Sequence, residues 1–202
     1  MRRWAVLALL LACCAPPAPS KAPPSDAERA RAIDATVVIL NDEMSALKCA
    51  GEFIAPTLIA TANHCVADIG EPVVFLTLQD IGDRADVPSF GVVSAIDEKH
   101  DLALVTTVRA NDSFVTIASP QIERGAKVYS LGHPGSKFYT LATGMMLFNA
   151  DDYCMVAIAI SPGASGGGLY DENWNLIGVA SAMLAGGSIG KFYNAQALQA
   201  LQ

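Results

Sequence analysis

Pro162-Gly163-Ala164-Ser165-Gly166-Gly167 follows directly on the apolar run Met155–Ile160. A glycine-lined turn at the end of a strand holds a hydroxyl outward on a rigid backbone, with unpaired N–H groups around it. Glycine-rich turns are common, so this one gains its meaning from two stretches upstream. Thr61-Ala62-Asn63-His64-Cys65 puts a histidine where the strand-like run Thr57–Thr61 ends. Asp101-Leu102-Ala103-Leu104 puts an aspartate at the mouth of a buried-looking run. Histidine, aspartate and a glycine-framed serine, in that order, are the parts of a serine hydrolase.

The rest of the chain reads as strands. Apolar or alternating runs cover Ala35–Leu40, Ala50–Ile54, Thr57–Thr61, Val73–Leu78, Val92–Ile96 and Leu102–Val105. They resume at Val128–Leu131, Thr140–Phe148, Met155–Ile160, Leu176–Ser181 and Lys191–Asn194. Pro56, Pro72, Pro88, Pro120, Gly132-His133-Pro134-Gly135, Pro162-Gly163 and Gly186-Gly187 punctuate them. Many short strands at close spacing indicate an all-β barrel or sandwich. Asn194–Gln202 reads as a short C-terminal helix with Ala197, Leu198 and Leu201 on one face. The net charge is −7 and no basic patch stands out, which argues against a nucleic-acid partner.

Residues 1–12 read as a targeting segment, with Met1-Arg2-Arg3 ahead of the apolar Trp4–Ala12 stretch. The stretch is too short to span a bilayer. It ends in Leu10-Leu11-Ala12-Cys13, which resembles a bacterial lipobox cut before a lipidated Cys13; an ordinary secretory signal is the alternative. Either reading places the mature protein outside the cytoplasm, touching membrane only through an anchor at Cys13. Residues 13–32 then form a tether, stiffened by Pro16, Pro17, Pro19, Pro23 and Pro24. Within it Asp26–Ala32 is either a short helix or a solvated lead-in. A single domain fills 33–202. An oxidising compartment permits a Cys49–Cys65 disulfide; two buried thiols are the alternative. Cys154 reads as a buried apolar thiol. The three histidines form no cluster at ligand spacing, so no metal is expected.

Acyl transfer to a serine needs a base to take the hydroxyl proton, a carboxylate to orient that base, and donors for the oxyanion. His64, Asp101 and Ser165 fill the first roles, and the N–H groups of Gly163 and Ser165 are placed for the last. Asp97 is a rival for the acid but looks like a solvated turn. His100 is expected to face solvent, since strand neighbours alternate. His133 reads as a loop residue and Ser161 as a pocket wall.

These motifs resemble the trypsin-like serine peptidases. Thr-Ala-x-His-Cys at His64, Asp-Leu-Ala-Leu at Asp101 and Gly-x-Ser-Gly-Gly at Ser165 carry the resemblance, which covers Ala35 to the C-terminus. Leu131-Gly132-His133-Pro134-Gly135 and Ile160-Ser161-Pro162-Gly163 look most like the bacterial Do-like (HtrA-type) branch, without its peptide-binding PDZ module. The resemblance implies two antiparallel six-stranded barrels of the chymotrypsin kind. It also implies a serine endopeptidase acting on protein or peptide substrates, with no cofactor. By the same resemblance the specificity pocket is lined by Ala159, Ile160, Ser181, Ala182 and Met183, none charged, so small or medium apolar residues should precede the cut. Three departures stand out. Ala164 replaces the aspartate that receives a new N-terminus in zymogens, so activation by N-terminal insertion is not expected. Asn63 replaces a usual alanine, and Gly168 stands where many relatives carry proline or alanine. A catalytically silent peptide-binding protein of the cell envelope, and an esterase or other non-peptide hydrolase using the same triad, are the other readings open at this point.

Overall fold

The computed structural model describes residues 26–41, 43–82, 88–118 and 121–202. The leader, Cys13 and the tether up to residue 25 lie outside the described residues. Helix α1 (Asp26–Ala35) carries Asp26 and Glu28 in its first turn, where negative charge complements the helix dipole. It buries Ala32 and Ala35. The Asp26–Ala32 segment is therefore helical, and Ala35 ends this helix instead of starting a strand.

Twelve strands among the described residues form two groups of six. The first comprises β1 (Thr36–Leu40), β2 (Leu47–Ala55), β3 (Leu58–Ala62), β4 (Pro72–Thr77), β5 (Ser89–Asp97) and β6 (Leu102–Thr107). The second comprises β7 (Lys127–Gly132), β8 (Thr140–Asn149), β9 (Tyr153–Ala157), β10 (Gly168–Tyr170), β11 (Leu176–Leu184) and β12 (Ile189–Asn194). Each group closes into an antiparallel barrel. The neighbour order is the same in both, β1-β2-β3-β6-β5-β4 and β7-β8-β9-β12-β11-β10. Closure leaves no unpaired sheet edge.

Two strand patterns build the first barrel. In β5, buried Ser89, Gly91 and Val93 alternate with exposed Phe90, Val92 and Ser94, as a strand with one wet face must. In β6, Leu102-Ala103-Leu104-Val105 is buried throughout. Phe53 and Phe75 meet edge to face inside this barrel, 6.0 Å apart. Val128, Met146, Val156, Leu169 and Phe192 fill the second barrel, and Cys154 sits among them. Burial pushes the Cys154 thiol up to about 12, which leaves it protonated and inert.

Three local expectations shift. β10 has only three residues, too few to show a period, and is a strand because Leu169 pairs with both Ser130 and Gly178. The ladder of β9 ends at Ala157; beyond it the N–H groups of Ile158 and Ile160 still bond the Ser188 and Gly187 carbonyls. The C-terminal helix is a 3₁₀ segment, Ala195–Ala200, that buries Ala195 and Leu198.

Cys49 on β2 and Cys65 in the 3₁₀ turn Asn63–Cys65 are disulfide-bonded across a separation of 16 residues. The bond staples the His64 turn to the neighbouring strand. Replacing both cysteines by alanine is expected to lower unfolding stability by about 3 kcal/mol, the loop-entropy value for such a closure, as read from urea midpoints under non-reducing conditions.

Candidate active site

β3 and β6 pair so that Ala62 lies opposite Leu102. The residues just beyond this shared end are His64 and Asp101, which is why a separation in sequence becomes contact in space. The Asn63 N–H donates to the Asp101 carbonyl at 3.0 Å. His64 Nδ1 lies 2.8 Å from Asp101 Oδ2, and the His64 backbone N–H donates to Oδ1 at 3.0 Å. One carboxylate thus fixes both the ring and the backbone of the histidine. With Nδ1–H donating to the carboxylate, Nε2 is left as the acceptor.

Ser181 Oγ also donates to Asp101 Oδ2, at 2.5 Å. Burial works against ionisation of Asp101, but the bonds from His64 and Ser181 outweigh it and hold the carboxyl below its ordinary range. His64 is raised above 6.5 chiefly by its bond to Asp101, with partial burial and the Lys48 charge opposing. Asp101 adopts φ 50°, a left-handed conformation unfavourable for a non-glycine residue.

Ser165 rides on the second barrel and is stitched to the first. Its carbonyl accepts the Ala50 N–H at 2.8 Å, and Thr61 Oγ1 donates to the Ala50 carbonyl at 2.7 Å. The Gly166 N–H bonds the Ala180 carbonyl at 2.8 Å. Gly166 has φ 80°, and a Cβ there would stand 2.1 Å from the Ala50 oxygen, so only glycine fits. Among the described residues no hydrogen bond joins Ser165 Oγ to the His64 ring. Ser165 lines a cavity of about 200 Å³ together with Ser181, whose hydroxyl is bonded to Asp101.

The turn before the serine presents free donors. Gly163 has φ 94°, and a Cβ on it would lie 2.4 Å from the His133 carbonyl oxygen. The Pro162 carbonyl accepts the Gly135 N–H at 2.8 Å. A trans peptide is planar with C=O and N–H opposed, so the Gly163 N–H points away from that bond. Among the described residues neither the Gly163 nor the Ser165 N–H has an acceptor.

The model of the trypsin-like peptidase domain matches residues 49–179. The chain belongs to the trypsin-like peptidase family. A probable periplasmic serine endoprotease, DegP-like, of Chlamydia trachomatis is 29% identical over 138 residues, covering 63% of this chain and 26% of that protein. Its counterpart in Brucella suis is 27% identical over 145 residues, covering 65% and 27%. The chain therefore spans about a quarter of the length of these curated relatives. Among solved structures, the serine endoprotease from Yersinia pestis superposes with a TM-score of 0.74 at 20% identity, covering 89% of this chain and 66% of that one. The active form of the Rv3671c protease from M. tuberculosis gives 0.72 at 20% identity, covering 89% and 86%. At that identity the likeness shows the two-barrel fold.

Several residues of this peptidase domain sit differently from the sequence expectation. Ala159 lies outside the cavity lining and is exposed, because Ile158 and Ile160 on either side turn inward. Ile160, Ser181, Ala182 and Met183 do line it, as does Ser161. His133 is fully buried: its Nε2 donates to the Val37 carbonyl and its Nδ1 accepts the Tyr139 N–H, both at 3.0 Å. Burial pushes it down to about 4, so it is neutral at physiological pH. His100 is not turned to solvent either; its ring is 16% exposed and bonded to Asp97, which is itself no solvated turn residue. Ligand atoms of Cys49, His64 and Cys65 lie within 4.8 Å of one another. With the sulfurs joined to each other, that group offers one imidazole, too few donors for a zinc site.

Sequence reasoning missed Glu52. This carboxyl on β2 is fully buried between the barrels. It accepts Thr36 Oγ1 at 2.9 Å and the Gly168 N–H at 2.8 Å, beside the buried Tyr170 hydroxyl. Proline at 168 would lack that N–H, so Gly168 keeps a donor that the buried carboxyl uses. Burial pushes Glu52 up to about 8 from its ordinary 4.5. The folded protein therefore holds a proton that the unfolded chain releases near 4.5, and this stability, full below 4.5, is lost as pH rises toward 8. Urea titrations at pH 5, 7 and 9 should show the parent losing a few kcal/mol (about 1.4 per pH unit) relative to Glu52→Gln over that window, with the difference levelling off above it.

Proposed function

We propose that this chain is an exported serine endopeptidase whose triad is Ser165, His64 and Asp101. The observation that supports the reading is a histidine oriented by Asp101, with Ser181 bonded to the same carboxylate and lining one cavity with a serine flanked by two N–H groups that lack acceptors among the described residues. Ser165 Oγ attacks the peptide carbonyl while His64 Nε2 takes its proton. Asp101 holds the imidazole tautomer and stabilises the imidazolium. The Gly163 and Ser165 N–H groups receive the oxyanion. His64 then protonates the leaving amine, and water reverses the sequence on the acyl-enzyme. The missing Ser165–His64 bond fits this reading, since such bonds often tighten only when substrate is bound.

The leader, 1–12, the tether, 13–32, and the domain, 33–202, support export to the cell envelope with an anchor at Cys13, in keeping with the periplasmic description of the Chlamydia and Brucella proteins. Protein or peptide is the substrate class; the AlgW protease, solved with a tripeptide, shares the fold with a TM-score of 0.73. The cavity that serves as the specificity pocket is lined mainly by apolar and small residues. Ile160 is part of that lining and packs against Gly190, where an added Cβ would stand 3.1 Å from its Cδ1. Among the described residues no charged side chain lines the cavity, so a Lys or Arg entering it would be left unpaired.

Three outcomes are expected. A fluorophosphonate labels the parent and not Ser165→Ala, and peptide turnover falls by about a millionfold in that variant. Labelling of neither, in folded samples, would favour the silent peptide-binding protein instead. A peptide-library digest shows cleavage after Val, Ala or Leu; a preference for Lys or Arg would overturn the pocket assignment. The acid limb of kcat/KM, which reports the free-enzyme base, is centred above 6.5, since the bond to Asp101 makes His64 harder to deprotonate.

A further inference from the structure

The molecule holds a second histidine–carboxylate pair that the reaction does not use. His100 immediately precedes Asp101. Its Nδ1 lies 2.5 Å from Asp97 Oδ2, and its backbone N–H donates to Asp97 Oδ1 at 3.1 Å. On the far side Nε2 lies 3.4 Å from Asp152 Oδ1. The ring edge meets Tyr193, with centroids 6.0 Å apart. Asp97 closes β5 of the first barrel, whereas Asp152 sits in the β8–β9 turn and Tyr193 on β12 of the second. One imidazole therefore bridges the seam directly beside the candidate acid.

The second-barrel side of this contact is itself anchored. Asn194 Nδ2 donates to the Ala150 carbonyl at 3.1 Å and to the Asp151 carbonyl at 2.6 Å, and its N–H bonds the Asp152 carbonyl at 3.0 Å. Lys191 Nζ donates to the Tyr193 hydroxyl at 2.8 Å and lies over the Tyr153 ring. The neighbouring Lys99–Asp152 pair is 71% and 50% exposed, so it contributes little. The shielded link is His100.

What this link holds is a strained residue. Asp101 sits at φ 50°, and its own N–H reaches the Glu98 carbonyl only at 3.4 Å. A left-handed aspartate relaxes unless its surroundings fix it, and relaxation would swing the carboxylate off His64.

We propose that His100 is a positioning residue for Asp101: by clamping the 97–101 turn to the 150–152 turn of the second barrel, it keeps the Asp101 carboxylate aimed at His64. The inference rests on the triad reading above. The charged and titratable groups around His100 are Asp97, Lys99, Asp152 and Tyr193, with Lys191 behind the tyrosine; those acting on His64 are Asp101 and Lys48.

The test compares His100→Ala, His100→Gln and Asp152→Asn with the parent and with Asp101→Ala, all in the full chain. The readouts are kcat, KM, the pH profile of kcat/KM and the thermal midpoint. His100→Ala should lower kcat by about tenfold to a hundredfold, the scale of a misplaced catalytic group, with KM within about twofold. Its acid limb should move to lower pH, toward the ordinary histidine value, because the Asp101–His64 bond is weakened; mere loss of stability would not move it. His100→Gln, which keeps a donor for Asp97, should recover most of kcat, and Asp152→Asn should fall between. If Asp101→Ala is inactive while the His100 and Asp152 variants keep the parent kcat and acid limb, the positioning role is wrong and the triad stands. If Asp101→Ala keeps parent activity, the triad reading itself fails. Should His100→Ala not fold, His100→Gln and Asp152→Asn decide: parent values in Asp152→Asn overturn the clamp.

Discussion

His64 and Asp101 ride on one barrel and Ser165 on the other, so the cleft is only as well formed as the seam between them is rigid. That seam is polar as well as apolar. Leu131, Tyr170, Trp174 and Leu176 pack into the same core as Val37, Phe53 and Leu104. Across it run the Ala50–Ser165 and Glu52–Gly168 bonds, the His133–Val37 bond, and the Ser181–Asp101 bond. Apolar contact alone is non-directional and would allow the barrels to slide. Directional bonds to backbone groups set one register, and the nucleophile's own carbonyl is among them.

Two of the buried ionisable groups of the seam, Glu52 and His133, are kept neutral by opposite shifts. Glu52 is pushed up to about 8 and His133 down to about 4, each mainly by burial. An uncompensated charge at either position would cost several kcal/mol, while a neutral group with its bonds made costs little. Asp101, by contrast, carries its charge at a partly exposed position where three hydrogen bonds hold it.

Much of this was legible from residues. The strands were visible wherever a run was long enough to show a period, and the His64, Asp101 and Ser165 motifs stood out because each sits where a strand meets a turn. β10 was not visible, since Gly168-Leu169-Tyr170 is a strand by its pairing alone. Glu52 could not be read either. A glutamate in Ala50-Gly51-Glu52-Phe53 looks like the wet face of a strand, and only the second barrel, more than a hundred residues on, buries it. His100 misled for a related reason. Alternation predicts direction within a strand, but His100 lies in the turn between β5 and β6, where Asp97 bonds its backbone and reorients the ring. Long-range partners, not local pattern, set these side chains.

The same contrast bears on how the Gly163 turn is held. Ala164 can form no ion pair with a chain terminus, so the fixing must come from bonds within the domain. Ala164 N–H bonds the Ser161 carbonyl at 3.0 Å, and Gly135 N–H bonds the Pro162 carbonyl. The Gly135 donor belongs to the short turn that follows His133, whose carbonyl bonds the Ser136 N–H and presses against Gly163. His133 in turn hangs on the Val37 carbonyl of β1. The donors around Ser165 are thus tied, through one neutral buried imidazole, to the first strand of the other barrel. The turn's shape is therefore a property of the assembled seam.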